Sequence, residues 1–281
     1  MQKQPSKALP IWRPDRSWEE SEKEWEAQRD LAASKSPIKG LKTLPKMVGV
    51  TKKTARFLRL KALWYMLTRD SDRAILKGFL KHPFRYLRNY VRSLFRKEAF
   101  KRDGDFFLYN TVSTSEFETL ISDPDTVLVV GFSYCHKPFE CPSGRFTNQC
   151  QRAIEHPVCQ QCYIGKVFHS LEGADFIPVA IPTVHAIGKV IFDVVEKYPN
   201  QQILFLITAC EMTLRMFADW GNMVGIRGIG VRLDGRICNT MAAFDLSERG
   251  IKPGLTVVLE ETQRRILQLL RSRSRKFSSS R

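Results

Sequence analysis

Five cysteines, Cys135, Cys141, Cys150, Cys159 and Cys162, fall within 28 consecutive residues. Thiols at that density can bind a soft metal as thiolates. The spacings are C-x5-C, C-x8-C, C-x8-C and C-x2-C. The last pair is the most specific, because two thiolates separated by two residues can turn around one ion and hold it from both sides. Pro138, Pro142, Pro157 and Gly144 keep the segment a loop. A loop this long is uncommon in a compact domain unless something organises it. A structural metal, contributing about 10 kcal/mol or more in small sites, is an economical organiser. The competing reading is a group of inert buried thiols. Against it stand the polar neighbours Lys137, Glu140, Arg145, Asn148, Gln149, Gln151, Gln160 and Gln161. Four thiolates suit tetrahedral zinc and also a cubane cluster. The spacing matches neither paired zinc-ribbon motifs nor a ferredoxin run, and His136 and His156 offer nitrogens. An iron–sulfur cluster is the first expectation and zinc the alternative.

Cys210 and Cys238 acquire meaning from the elements that carry them. Residues 126–132, 175–181, 202–208 and 226–233 are short apolar runs that read as strands. Residues 255–260 read as a fifth strand or the start of the last helix. Thr183 is placed to cap a helix reaching about Tyr198, and further helices fall over 211–222 and 261–272. This alternation predicts an α/β fold, a mostly parallel sheet flanked by helices, with the cysteine-rich loop after the first strand. Ligands of such sheets bind at the carboxyl ends of the strands. Cys135, Cys210 and Cys238 each follow a strand, so they are expected at one rim. There Cys210 and Cys238 read as cofactor-binding or reactive thiols, with Cys210 favoured as a thiolate by the helix starting at Glu211. The bland alternative is two small buried hydrophobes. Glu211 and Asp234 are expected near the same rim in supporting polar roles. No Ser/His/Asp set, phosphate loop or dinucleotide fingerprint accompanies them; Gly225, Gly228 and Gly230 fall before and inside a strand.

The motifs Cys135 to Cys141-Pro142, Cys159-Gln-Gln-Cys162, Ala209-Cys210-Glu211 and Cys238-Asn239-Thr240 occur in an order that resembles an uncharacterised prokaryotic family, the domain of unknown function 116. The resemblance covers residues 125–262. It implies an α/β domain with Cys135, Cys141, Cys159 and Cys162 as metal ligands, and it leaves Cys150 without a counterpart. Members of that family commonly carry basic or hydrophobic N-terminal segments that suggest membrane association. The resemblance implies no reaction.

Charge divides the chain. Residues 1–102 hold 26 Lys/Arg against 10 Asp/Glu, whereas 103–281 hold 19 of each, so the first part carries the whole excess of +16. Residues 1–50 read as a poorly ordered strap bearing Trp12, Trp18 and Trp25, with Ser17 capping a short helix to about Arg29. Residues 51–103 read as a segment of two basic amphipathic helices. In the second, Leu76, Phe79, Leu80, Phe84, Leu87, Tyr90, Val91, Leu94 and Phe95 form a stripe opposite arginines, broken at Pro83. Residues 104–271 are the metal-binding α/β domain, and 272–281 a disordered basic tail. An aromatic stripe facing arginines suits an anionic membrane surface. Nucleic acid is disfavoured because no recognition motif accompanies the charge. With no secretory signal, no apolar run of about 18 residues and seven cysteines, the expected location is cytoplasmic, peripheral on the inner face of the membrane. Two classes of function stay open: a redox or cluster-dependent protein, and a non-catalytic zinc-stabilised scaffold.

Overall fold

Apolar runs of five to seven residues make the central strands of the computed structural model, which describes residues 11–13, 15–40 and 47–278. The strands are β1 (Lys101–Asp103), β2 (Phe106–Tyr109), β3 (Val127–Ser133), β4 (Ile177–Ile181), β5 (Ile203–Ala209), β6 (Arg227–Arg232), β7 (Asp234–Gly235) and β8 (Thr256–Val257). The first six form one sheet in the order β1-β2-β6-β5-β3-β4. Strands β4, β3, β5 and β6 are mutually parallel, and the β1–β2 hairpin joins antiparallel along β6. Leu128, Val130, Leu204, Leu206 and Ile229 are fully or almost fully buried in one core layer, as a parallel sheet covered on both faces requires. The expected α/β architecture is therefore the observed one. The hairpin of β1 and β2 leaves no pattern in the sequence, because strands of three and four residues are too short to show alternation.

The helix after β4 runs Val184–Lys197 with Thr183 as its cap. The helix expected over 211–222 is two, Glu211–Met216 and Ala218–Val224. Only Thr256–Val257 of 255–260 is a strand, paired with β7, and the last helix follows as Glu260–Ser278. That helix corrects the expected disordered tail. Arg273 is buried and donates hydrogen bonds to the carbonyls of Ile121, Thr126 and Asp175, which fixes the helix past Ser272. Residues 279–281 lie outside the described residues.

The strap is also more ordered than expected. Ser17 and Glu20 form a capping box, and the helix extends over Trp18–Lys35. Trp12 packs on Trp18 and Trp25, and Trp25 on His169, while Lys166 binds Glu22 and Glu26. Residues 1–10, 14 and 41–46 of the strap lie outside the described residues. The basic segment contains four helices, not two: Lys52–Ala55, Leu58–Arg69, Ala74–Lys81 and Pro83–Leu94. Pro83 opens the last of them after His82 closes its predecessor. Three of them pack on helices of the α/β domain: Leu58–Arg69 on Glu211–Met216, Ala74–Lys81 on Val184–Lys197 and Pro83–Leu94 on Ala218–Val224. Gly78 lets Ala74–Lys81 lie close to Phe192, where a Cβ would meet the ring at 2.5 Å.

Candidate metal centre and thiol cleft

The seven cysteines separate into two groups, and the division differs from the one the sequence suggests. Cys141, Cys150, Cys159 and Cys162 share one environment. Cys159 lies in the short helix Pro157–Gln161, and Cys162 begins Tyr163–Ser170. The turn between them is closed by the Cys162 N–H donating to the Cys159 carbonyl at 3.2 Å. Gly165 permits this turn, since a Cβ there would stand 2.5 Å from the Cys159 carbonyl oxygen. Backbone N–H groups of Arg152, of Ala153, and of Ile164 and Gly165 point at the sulfurs of Cys150, Cys159 and Cys162 respectively. Burial pushes these three thiols up in pKa, Cys162 to about 12, while those N–H groups oppose the shift. Cys141 and Cys150 act electrostatically on both Cys159 and Cys162.

Lys137 organises this loop from within. Its side chain is 1% exposed. The ammonium donates to the carbonyls of Gly144, Thr147 and Gln149 at 3.2, 3.0 and 2.6 Å, and to the Thr147 hydroxyl at 3.0 Å. Among the described residues no carboxylate pairs with it. Burial lowers its pKa, and the groups that favour its charge are Cys141, Cys150 and Cys162. Arg145, from the same loop, reaches the carbonyls of Lys137, Cys135, Lys252 and Gly254 at 2.7–3.2 Å and stacks over Phe139. Both cations of this loop, Lys137 and Arg145, are thus structural fasteners.

Cys135 lines a strand-end cavity, and Cys150 shares the electrostatic surroundings of Cys141, Cys159 and Cys162. The cause is local. Cys135 sits in a single 3-10 turn, Tyr134–His136, directly after β3. That turn holds its sulfur at the strand end, while the chain needs Pro138 onward to reach the loop. His136 stacks on Tyr163 at 5.6 Å, with burial pulling it down to about 4. His156 accepts from the Val158 N–H at 3.2 Å as the cap of its helix.

The carboxyl ends of β3, β4 and β5 enclose a cavity of about 70 Å³ lined by Cys135, Cys210, Cys238, Thr213, Glu248 and Lys252 among others. The three thiols expected at one rim line the same cavity. Cys210 occupies the N-cap position of the helix after β5, and its sulfur lies 3.0 Å from the Thr213 hydroxyl. The β7–β8 pair carries the Cys238 and Lys252 loops together, and the Lys252 ammonium donates to the Cys238 sulfur at 3.1 Å. The neighbouring Cys210 thiol, then the Lys252 charge, lowers Cys238 to about 5 against its burial. Cys210 moves the opposite way, because the neighbouring Cys238 and its own burial disfavour its thiolate. Burial also raises Cys135.

Glu211 and Asp234 do not line this cavity. Both are fully buried in a network around Arg232, at 3.3 and 3.2 Å, which Asp105 completes at 3.5 Å. Their role is to satisfy a buried guanidinium. One further group, Asp70, Asp72 and His185, brings three ligand atoms within 4.8 Å of one another. Asp70 accepts from the N–H groups of Ile75 and Leu76 and Asp72 from Ala74, so these carboxylates serve as helix caps.

No family model matches the chain, and comparison with curated proteins and with solved structures finds no match.

Proposed function

We propose that the protein holds an iron–sulfur cluster on Cys141, Cys150, Cys159 and Cys162, serves a redox or cluster-dependent role, and rests on an anionic membrane surface. The observation that carries the first part is Lys137. A buried ammonium bonded only to neutral oxygens is costly. A four-thiolate centre bears net negative charge, and Cys141, Cys150 and Cys162 already favour the charged lysine. N–H groups aimed at the sulfurs are the contacts that set the potential of such centres.

Four thiolates in one loop suit a cubane cluster, which spreads them over separate irons, and also suit tetrahedral zinc, the alternative reading. The resemblance to the domain of unknown function 116 family belongs to the same proposal, with Cys150 replacing Cys135 as a ligand.

The membrane part rests on the basic helices. Leu60, Trp64 and Leu67 on one helix are 60–76% exposed, and Phe84 and Phe95 on the next arm are 88% and 87% exposed. Leu76, Leu80, Leu87 and Val91 continue that outward stripe. The inward side is Tyr86 and Ser93, with Ser93 bonded to Asp219 at 2.6 Å. Arg56, Arg73, Lys77, Arg85, Arg88 and Arg92 are exposed around the stripe. Large apolar side chains facing outward among arginines match an interfacial surface on anionic lipid. Among the described residues no helix is long and apolar enough to cross a membrane.

The cluster assignment is tested by comparing Cys150→Ala with Cys135→Ala after anaerobic purification. Loss of visible absorbance and iron in the first, with retention in the second, is expected. The reverse result would return Cys135 to the ligand set.

A further inference from the structure

Cys238 belongs to two spaces at once. On its inner side lies the 70 Å³ cavity shared with Cys210 and Cys135. On its outer side it lines, with Lys252, an open groove of about 540 Å³ bordered by Arg236, Leu246, Ile251 and Gly254. Leu246 and Ile251 are 44% and 56% exposed, and Arg236 is exposed. The Cys238 sulfur, in a residue 5% exposed, therefore stands between the outer groove and the half-buried Cys210. The outer groove lies within the roughly 300–1,000 Å³ of small-molecule sites. The inner cavity, several times the about 10–15 Å³ a water needs, leaves room for Cys210 to move toward Cys238.

We propose that Cys238 and Cys210 form a thiol–disulfide exchange site, in which the groove admits a disulfide, Cys238 attacks it and Cys210 resolves the product. Lys252 holds the attacking sulfur in place at 3.1 Å and supplies positive charge. The Cys238 thiolate attacks one sulfur of R–S–S–R, forming Cys238–S–S–R and expelling R–S⁻. Cys210 then attacks the Cys238 sulfur, its proton passing to the second leaving thiolate. The products are a Cys210–Cys238 disulfide, R–S⁻ and R–SH, so the dithiol loses two electrons and the substrate disulfide gains them. Arg236 and Lys252 at the groove favour a disulfide bearing carboxylates. The site does not depend on the cluster, because none of Cys141, Cys150, Cys159 and Cys162 lines either space.

The groups facing Cys238 are Cys135, Cys210, Tyr134, Glu248 and Lys252. Low-pH labelling separates them. Whole protein is pulsed with iodoacetamide at pH 6, then digested with trypsin and mapped by mass. Cys238 falls in the peptide 237–249 and Cys210 in 198–215. The expected first label is Cys238, slowed about tenfold or more in Lys252→Met as the thiolate is lost. Incubation with glutathione disulfide, and separately with insulin as a protein disulfide, is expected to join peptides 198–215 and 237–249 in at least one arm. The reacting arm identifies the source. In Cys210→Ser the reaction is expected to stop at a mixed disulfide on Cys238. Wild-type protein in which Cys238 is labelled no faster than the other cysteines, or in which neither arm joins the two peptides, would overturn the proposal without touching iron content.

Discussion

At the scale of single residues, identity in the sequence and role in the fold diverge most at charged side chains inside the cysteine loop. Lys137 and Arg145 read as polar neighbours, yet they hold the loop through seven carbonyl contacts and one hydroxyl. Lys137→Met removes both the loop staple and the counter-charge. It is predicted to weaken cluster retention about 10–100-fold, the range seen for outer contacts of metal sites, measured as iron remaining after chelator challenge. His136 supplies a pH prediction. Its folded pKa, about 4, lies below the ordinary 6.5 because burial disfavours the imidazolium. A lowered folded value means the native state binds fewer protons. Stability is complete above pH 6.5 and is lost as pH falls toward 4, by up to about 3 kcal/mol. Urea denaturation across that window is expected to flatten in His136→Phe; an unchanged slope would assign the loss to other groups.

At the scale of elements, the strands of the parallel core were legible because continuous Val, Ile and Leu runs leave little choice of environment. Thr183, Pro83 and Ser17 marked helix starts for the same local reason. What stayed hidden depended on distant partners. Cys135 and Cys150 are alike in sequence, and the turn after β3 is what sets Cys135 at the strand-end cavity. Lys252 meets Cys238 only because β7 and β8 pair. The last helix outlasts its apolar pattern because Arg273 finds buried carbonyls. Gly165 gives a test at this scale. Gly165→Ala places a methyl against the Cys159 carbonyl, so it is expected to distort the C-x2-C turn and lower iron content. Gly173→Ala, at a positive-φ position with open space around it, is expected to leave iron content unchanged.

At the scale of the molecule, the basic helices and the thiol cleft are mechanically joined. Tyr65, on the helix whose other side exposes Trp64 and Leu67, packs on Phe244 and bonds Glu248 at 2.6 Å. Phe244 and Glu248 flank the cavity holding Cys238. Because Tyr86 and Ser93 are buried, removing the whole extension would uncover the core, so point substitutions are the sounder probe. Phe84→Glu with Phe95→Glu is expected to release the protein from phosphatidylserine vesicles while leaving its thermal stability within about 0.5 kcal/mol, as exposed sites allow. Binding that persists would reject the helical arm as the contact surface. The central claim is the cluster itself, and its most direct measurement is iron, acid-labile sulfide and zinc per chain in wild-type protein purified without oxygen. The account predicts iron and sulfide in equal amounts with little zinc; colourless protein carrying one zinc per chain and no sulfide would contradict it.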